Sequence, residues 1–161
     1  MNSDRIASLR RRGGKLRGDT ITLTHGAGGK AMHDLIEEIF VAGFDNSQLD
    51  LLEDQARFDL AGLAAQGDRL ALTTDSYVVD PLFFPGGDIG KLAVAGTVND
   101  VAMLGARPLY LSFGLLIEEG FSLGDLERIL DSAAATARSA AVQVVTGDTK
   151  VLPHGSADRI F

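Results

Sequence analysis

From residue 69 onward the chain switches hydrophobic period again and again, and this alternation restricts the fold more than any other feature. Residues 69–74 read as a strand that ends at Asp75. Asp88 has the chemistry of an N-cap, and the spacing behind it predicts a helix over 89–104 with few polar residues, hence buried on most sides. Gly105-Ala106-Arg107-Pro108 stops that helix, and 109–118 read as a long apolar strand. Ser122 caps a second helix running to about residue 140, with Asp125 in its first turn and Leu126, Ile129, Leu130, Ala133 and Ala137 facing inward. Residues 142–146 form another strand, with Gly147-Asp148-Thr149-Lys150 at its end, and 158–161 begin a further one. The order β-α-β-α-β-β predicts an α+β (layered α/β) fold with helices over a sheet.

Upstream, the globular part is expected to start at Asp19. Residues 20–24 alternate and are β-branched, which predicts a strand. His25-Gly26-Ala27-Gly28-Gly29-Lys30 is a glycine-rich loop, and 31–41 predict a helix with Leu35, Ile36, Ile39 and Phe40 on one face. Residues 56–60 suggest a short strand, Gly67-Asp68 a turn, and 80–88 a loop that carries the apolar pair Phe83-Phe84.

Composition narrows the function classes. The 161 residues suit one domain. The net charge of −7 is uneven: residues 1–18 hold six basic side chains against Asp4 alone, and the remainder holds nine basic against 21 acidic. The expectation is a basic, disordered arm over 1–18 and a domain over 19–161 that stops within its last strand. An acidic body argues against nucleic-acid binding, as do the few aromatics and the absence of Trp. No run free of charged residues exceeds ten, the length of Pro108–Ile117, too short for a membrane span of about 20 residues. The chain has no Cys, which excludes disulfides and thiolate chemistry within it and accords with a cytoplasmic setting.

Three groups of residues could carry chemistry. A glycine loop between strand and helix can aim backbone N–H groups at a phosphate, or be a flexible turn. Asp54, Asp75, Asp100 and Asp148 fall at chain turning points or, for Asp100, within an apolar helix. They could hold a hard cation such as Mg²⁺ with phosphate oxygens, or be solvated and capping residues. Asp100 is flanked by core-like residues, so when ionised it would need a partner or a metal. Lys150 follows Asp148 by two, so on an extended segment the pair points one way, either as a surface ion pair or as charge stabilisation for a bound phosphate. The three His residues are too scattered for a zinc pattern.

Several strings together carry a resemblance: His25 to Lys30, Leu52-Glu-Asp-Gln-Ala56, Thr73 to Gly87 with its Asp80-Pro-Leu-Phe-Phe-Pro-Gly-Gly87, Ile89-Gly-Lys-Leu-Ala93, Gly96-Thr-Val-Asn-Asp100 and Val145 to Val151. The chain resembles the hydrogenase-maturation carbamoyl dehydratases (the HypE family), within the aminoimidazole ribonucleotide synthetase superfamily, from about residue 20 to 161. The resemblance implies the superfamily's N-terminal domain, paired sheet to sheet in a homodimer, with ATP and Mg²⁺ in a cleft. It implies conversion of a C-terminal cysteine thiocarboxamide to thiocyanate for the cyanide ligands of nickel–iron hydrogenase, and partnership with the carbamoyltransferase HypF and the HypC–HypD complex. By position, Asp54, Asp75, Asp100 and Asp148 would be metal–nucleotide carboxylates. Gly26, Gly28, Gly29, Lys91 and Asn99 would lie on the nucleotide, and Lys150 would be the catalytic lysine. The family's second domain and terminal Cys have no counterpart in these residues. The alternatives are a superfamily enzyme of selenophosphate synthetase or thiamine-phosphate kinase type, or a non-catalytic dimerisation or docking module. Selenophosphate synthetases generally carry Cys or selenocysteine in the glycine loop, and none stands there.

Overall fold

The computed structural model describes Leu16 and residues 18–53 and 55–161. Most of the basic arm, and Asp54, lie outside these residues. The fold is α+β. Its centre is a β-α-β unit: strand β3 (Tyr110–Glu118) pairs in parallel with β4 (Gln143–Leu152), and the crossover between them is a long helix, Leu123–Ser139. Parallel pairing needs such a crossover, because a tight turn cannot reverse the chain twice. We number the helices α1 (Lys30–Leu35), α2 (Ala42–Phe44), α3 (Leu60–Ala64), α4 (Ile89–Met103) and α5, the crossover. A hairpin of two short strands, β1 (Phe83–Phe84) and β2 (Gly87–Asp88), precedes α4.

Helix α5 is built as its sequence requires. Ser122 Oγ accepts the Asp125 N–H at 3.3 Å, closing the first turn. Leu123, Leu126, Ile129, Leu130, Ala133, Ala134 and Ala137 are all buried on one stripe, against β3, β4 and α4. Gly90 lets α4 approach closely, since a Cβ there would sit 2.3 Å from the Ile129 carbonyl oxygen. Asp88 caps α4 by accepting the Lys91 N–H at 2.9 Å.

The other expectations hold unevenly. Phe83-Phe84 is the first strand of the hairpin rather than loop. The run 31–41 is helical but changes register: α1 passes into a π turn over Ile36–Val41 and then into α2. Residues 20–24 do not form a strand ladder. Thr20 makes one bridge to Ser122 and the chain then winds into a 3₁₀ turn, Leu23–Gly26. Residues 56–60 are not a strand, and α3 begins at Leu60, with Asp59 accepting the Gly62 N–H. The expected strand over 69–74 is extended but joins no sheet. Helix α4 is not buried on most sides either: its inward residues are Ile89, Gly90 and Val94, while Met103 and Leu104 stand in solvent. At the end of the chain Ile160 bridges Ile117, on the edge of β3 away from β4.

The central sheet carries one irregularity, and it decides where two charged side chains point. Between Leu111 and Ser112 the register slips, so that Leu111 faces Val144 but Ser112 faces Thr146. Strand β3 keeps its odd residues inward throughout, with Leu111, Leu115 and Ile117 buried. The chain enters β4 with even residues inward (Val142, Val144) and leaves it with odd residues inward (Val145, Thr149). The extra residue is a bulge, and it turns Asp148 and Lys150 to the outer face.

Candidate functional site

The outer face of β4 presents Asp148 and Lys150, two residues apart and both exposed, with Lys150 Nζ 2.9 Å from Asp148 Oδ1 and 2.8 Å from Oδ2. The ammonium, helped by the Thr149 N–H, holds the Asp148 carboxyl below the usual carboxylate range against the opposing effect of burial. Gly147 fixes their placement: a Cβ there would lie 2.1 Å from the Phe113 carbonyl oxygen, so only glycine allows β4 to lie this close to β3.

Asp75 arrives from the extended segment after residue 68. Its Oδ1 accepts the Ser76 N–H at 2.7 Å. Asp75, Asp148 and Lys150 line one open hollow of about 1510 Å³ between that segment, α4 and the sheet, together with Thr97 and Tyr77. Tyr77 is the residue that sequence reasoning misses. Its hydroxyl lies 3.3 Å from Thr97 Oγ1, and burial, then the neighbouring Asp75 and Asp100 charges, raise its pKa, with the Thr97 contact opposing. A signal is present in Gly96: glycine inside a helix costs about 1 kcal/mol, and here a Cβ would fall 2.3 Å from the Tyr77 hydroxyl. Tyr77 thus feels the negative charge of both Asp75 and Asp100.

Asp100 and Asn99 are exposed on α4, so Asp100 needs no buried partner, contrary to the sequence expectation. Lys91 sits in the first turn of α4, about 13 Å along the axis from Asp100 at 1.5 Å per residue. Its Nζ donates to the Gly86 carbonyl at 2.7 Å, closing the hairpin turn. Asp54 lies outside the described residues. Among the described residues, no three acidic or His side chains gather where they could hold one metal ion.

The glycine loop comes to β4 from the opposite end of the chain. Gly26 is pressed against Val151, where a Cβ would be 2.8 Å from the Val151 nitrogen, so the loop begins beside Lys150. Gly28 has φ of +74° and Gly29 precedes α1, both with open space around them. Lys30 is paired with the buried Asp34. The loop does not line the hollow that Asp75 and Asp148 share.

A β-α-β layer with carboxylates and a lysine on its outer face, and a glycine loop at the strand's end, defines a class. The chain belongs to the AIR synthase related proteins, whose N-terminal domain family it matches over residues 53–161. Within that class it is 56% identical to the carbamoyl dehydratase HypE of Escherichia coli (strain K12) over 143 residues, 89% of this chain and 43% of the relative. A crystal structure of the hydrogenase maturation protein HypE in complex with ATP superposes with a TM-score of 0.82 at 55% identity, covering 88% of this chain and 40% of the other. A HypE–HypF complex superposes with a TM-score of 0.57 at 54% identity, over 78% of this chain and 39% of the other. The chain therefore spans about two-fifths of the length of the relatives it matches. Among the described residues no helix is long and apolar enough to cross a membrane.

Proposed function

We propose that this chain is the ATP-binding part of a hydrogenase-maturation carbamoyl dehydratase. The observation that carries the reading is the likeness, at 55% identity, to HypE in complex with ATP. The overall reaction would use ATP to phosphorylate the oxygen of a cysteine thiocarboxamide. The nitrogen would then lose its protons as phosphate departs, leaving a thiocyanate. An amide oxygen is a poor leaving group, and phosphorylation makes it a good one. These 161 residues include no Cys, so the sulfur that carries the carbamoyl group is not among them.

The chain's own residues suit the phosphate end of this task. Lys150, paired with Asp148, would neutralise charge that develops on the transferring phosphoryl group. The glycine loop offers backbone N–H groups beside it. The donor set fits Mg²⁺, which binds through one or two carboxylates and otherwise through phosphates and water. Asp75 and Asp148 face one hollow, and Asp100 and Asp54 are the further candidates. When bound, the ion would offset phosphate charge during transfer. Asn99 is a candidate on the nucleotide side. Lys91, occupied with Gly86, is the weakest member of the proposed set.

A homodimer follows from the same reading. Leu70, Leu72, Leu104, Tyr110 and Leu116 are exposed around the hollow, more apolar surface than a single domain normally leaves wet. A second copy pairing sheet to sheet would cover it. The likeness to the HypE–HypF complex supports HypF as a partner, and family resemblance supports the HypC–HypD complex.

Calorimetric titration with Mg²⁺–ATP tests the reading. We expect saturable binding that needs Mg²⁺, no turnover by this chain alone, and a loss of affinity of at least about tenfold in Asp148→Asn and Asp75→Asn without loss of fold. A folded chain that takes up no nucleotide would refute it.

A further inference from the structure

We propose that His25 is a positioning residue, the one that sets the conformation of the glycine loop and through it the affinity for the nucleotide's phosphates. The proposal rests on the reading of the chain as ATP-binding. His25 is 5% exposed, while Thr22, Leu23, Thr24, Ala27, Gly28, Gly29 and Lys30 around it are exposed. Between Thr22 and Lys30 it is therefore the one buried side chain, and it ties this stretch to the body of the protein.

The anchor is reciprocal. The His25 N–H donates to the Thr22 carbonyl at 2.9 Å, and the Thr22 N–H donates back to His25 Nδ1 at 3.0 Å. Thr22 Oγ1 lies 3.0 Å from the same ring nitrogen. A ring nitrogen that accepts a backbone N–H leaves the proton on Nε2. One residue thus satisfies both backbone groups of Thr22 and closes the 3₁₀ turn Leu23–Gly26. The turn delivers Gly26 against Val151, where no side chain fits, and the Ala27 N–H to the Thr24 carbonyl at 3.4 Å. Around Gly28 and Gly29, by contrast, a Cβ would meet nothing within 4 Å. Glycines are free to wander, so a loop that must aim N–H groups at an anion needs its direction set at one end. The turn packs on β4, which carries Lys150, so the same anchor fixes the distance between the loop and the lysine.

Two substitutions separate this role from filling space. Asparagine places an acceptor close to where Nδ1 stands. Glutamine, nearer to His in volume, places its amide near where Nε2 stands and leaves the Thr22 N–H without a partner. The chain and its variants are titrated with Mg²⁺–ATP. We expect His25→Gln to raise Kd about tenfold and His25→Asn to stay within about twofold, the loss of one half-buried hydrogen bond deciding the difference. Equal weakening in both variants, or affinity kept by Gln, overturns the proposal while leaving the ATP reading intact. Should the unsubstituted chain bind no Mg²⁺–ATP, that reading falls, and hydrogen exchange at the Ala27 amide of the free chain decides the role of His25. Faster exchange in the Gln variant alone supports it, and equal exchange in all three chains overturns it.

Discussion

The β3-α5-β4 unit and the stretch from Gln55 to Val79 make opposite uses of the same kind of side chain. In α5 every inward leucine is covered; Leu130 is 1% exposed. In the extended stretch Leu72 is 94% exposed, although it alternates with its neighbours as a buried strand would. The first region completes its core within the chain, through local helix spacing and one crossover. The second has a strand's sequence without a strand's neighbours. An apolar alternating segment encodes the face it presents but not the partner that face will meet. The difference marks which part of the domain is finished alone and which is proposed to wait for a second copy.

The contrast is tested most severely inside the closed half. Leu130→Ala should cost about 2–5 kcal/mol, the range for truncating a buried leucine, read as a fall in the denaturant midpoint. Next comes Gly147→Ala, which must push β4 off the Phe113 carbonyl and should cost about 1–3 kcal/mol, with Asp148 and Lys150 displaced as well. A change in the open half should behave differently. Leu72→Asp should move monomer stability by no more than about 0.5 kcal/mol, yet it should shift sedimentation towards monomer if a second copy covers that face. A large stability loss there would mean that the extended stretch is held by its own chain.

The smallest effect concerns acid. Glu118, at the end of β3, accepts the N–H groups of Gly155 and Arg159 and faces His154, and the backbone donors above all hold its carboxyl below the ordinary 4.5. A carboxyl lowered on folding lends stability above that ordinary value, and the contribution fades as the pH falls through the lowered one. Glu118→Gln should therefore reduce the difference in melting temperature between pH 6 and pH 3 (about three units of acidification). An unchanged pH profile would show that the 153–159 loop does not depend on this carboxylate.

Part of this architecture is plain in the sequence. Helices α4 and α5, with their caps at Asp88 and Ser122, follow from local spacing, because helical contacts are made three and four residues away. The shared direction of Asp148 and Lys150 follows from strand period alone. Which face they take does not, since it depends on the register slip against Leu111 and Ser112, a contact about thirty residues distant in sequence. The buried reading of Asp100 fails because it lies on the open side of α4, although Val98, two residues before it, packs on the core. Tyr77 escapes notice because its partner is Thr97, across the hollow, and its one local trace is a glycine in a helix. His25 reads in sequence as the first residue of the glycine loop and no part of a zinc pattern; its use of the Thr22 N–H becomes visible once the turn is built.

The irregularity in β4 has an evolutionary edge. Upstream of it one parity of residue number is dry, and downstream the other. Forcing the full-length strand into one unbroken alternation, with no bulge, would sink Asp148 and Lys150 among the valines, whereas removing one residue between Val144 and Gly147 would restore a single parity and leave both on the outer face. The two charges thus keep their face as long as the extra residue and the bulge are gained or lost together.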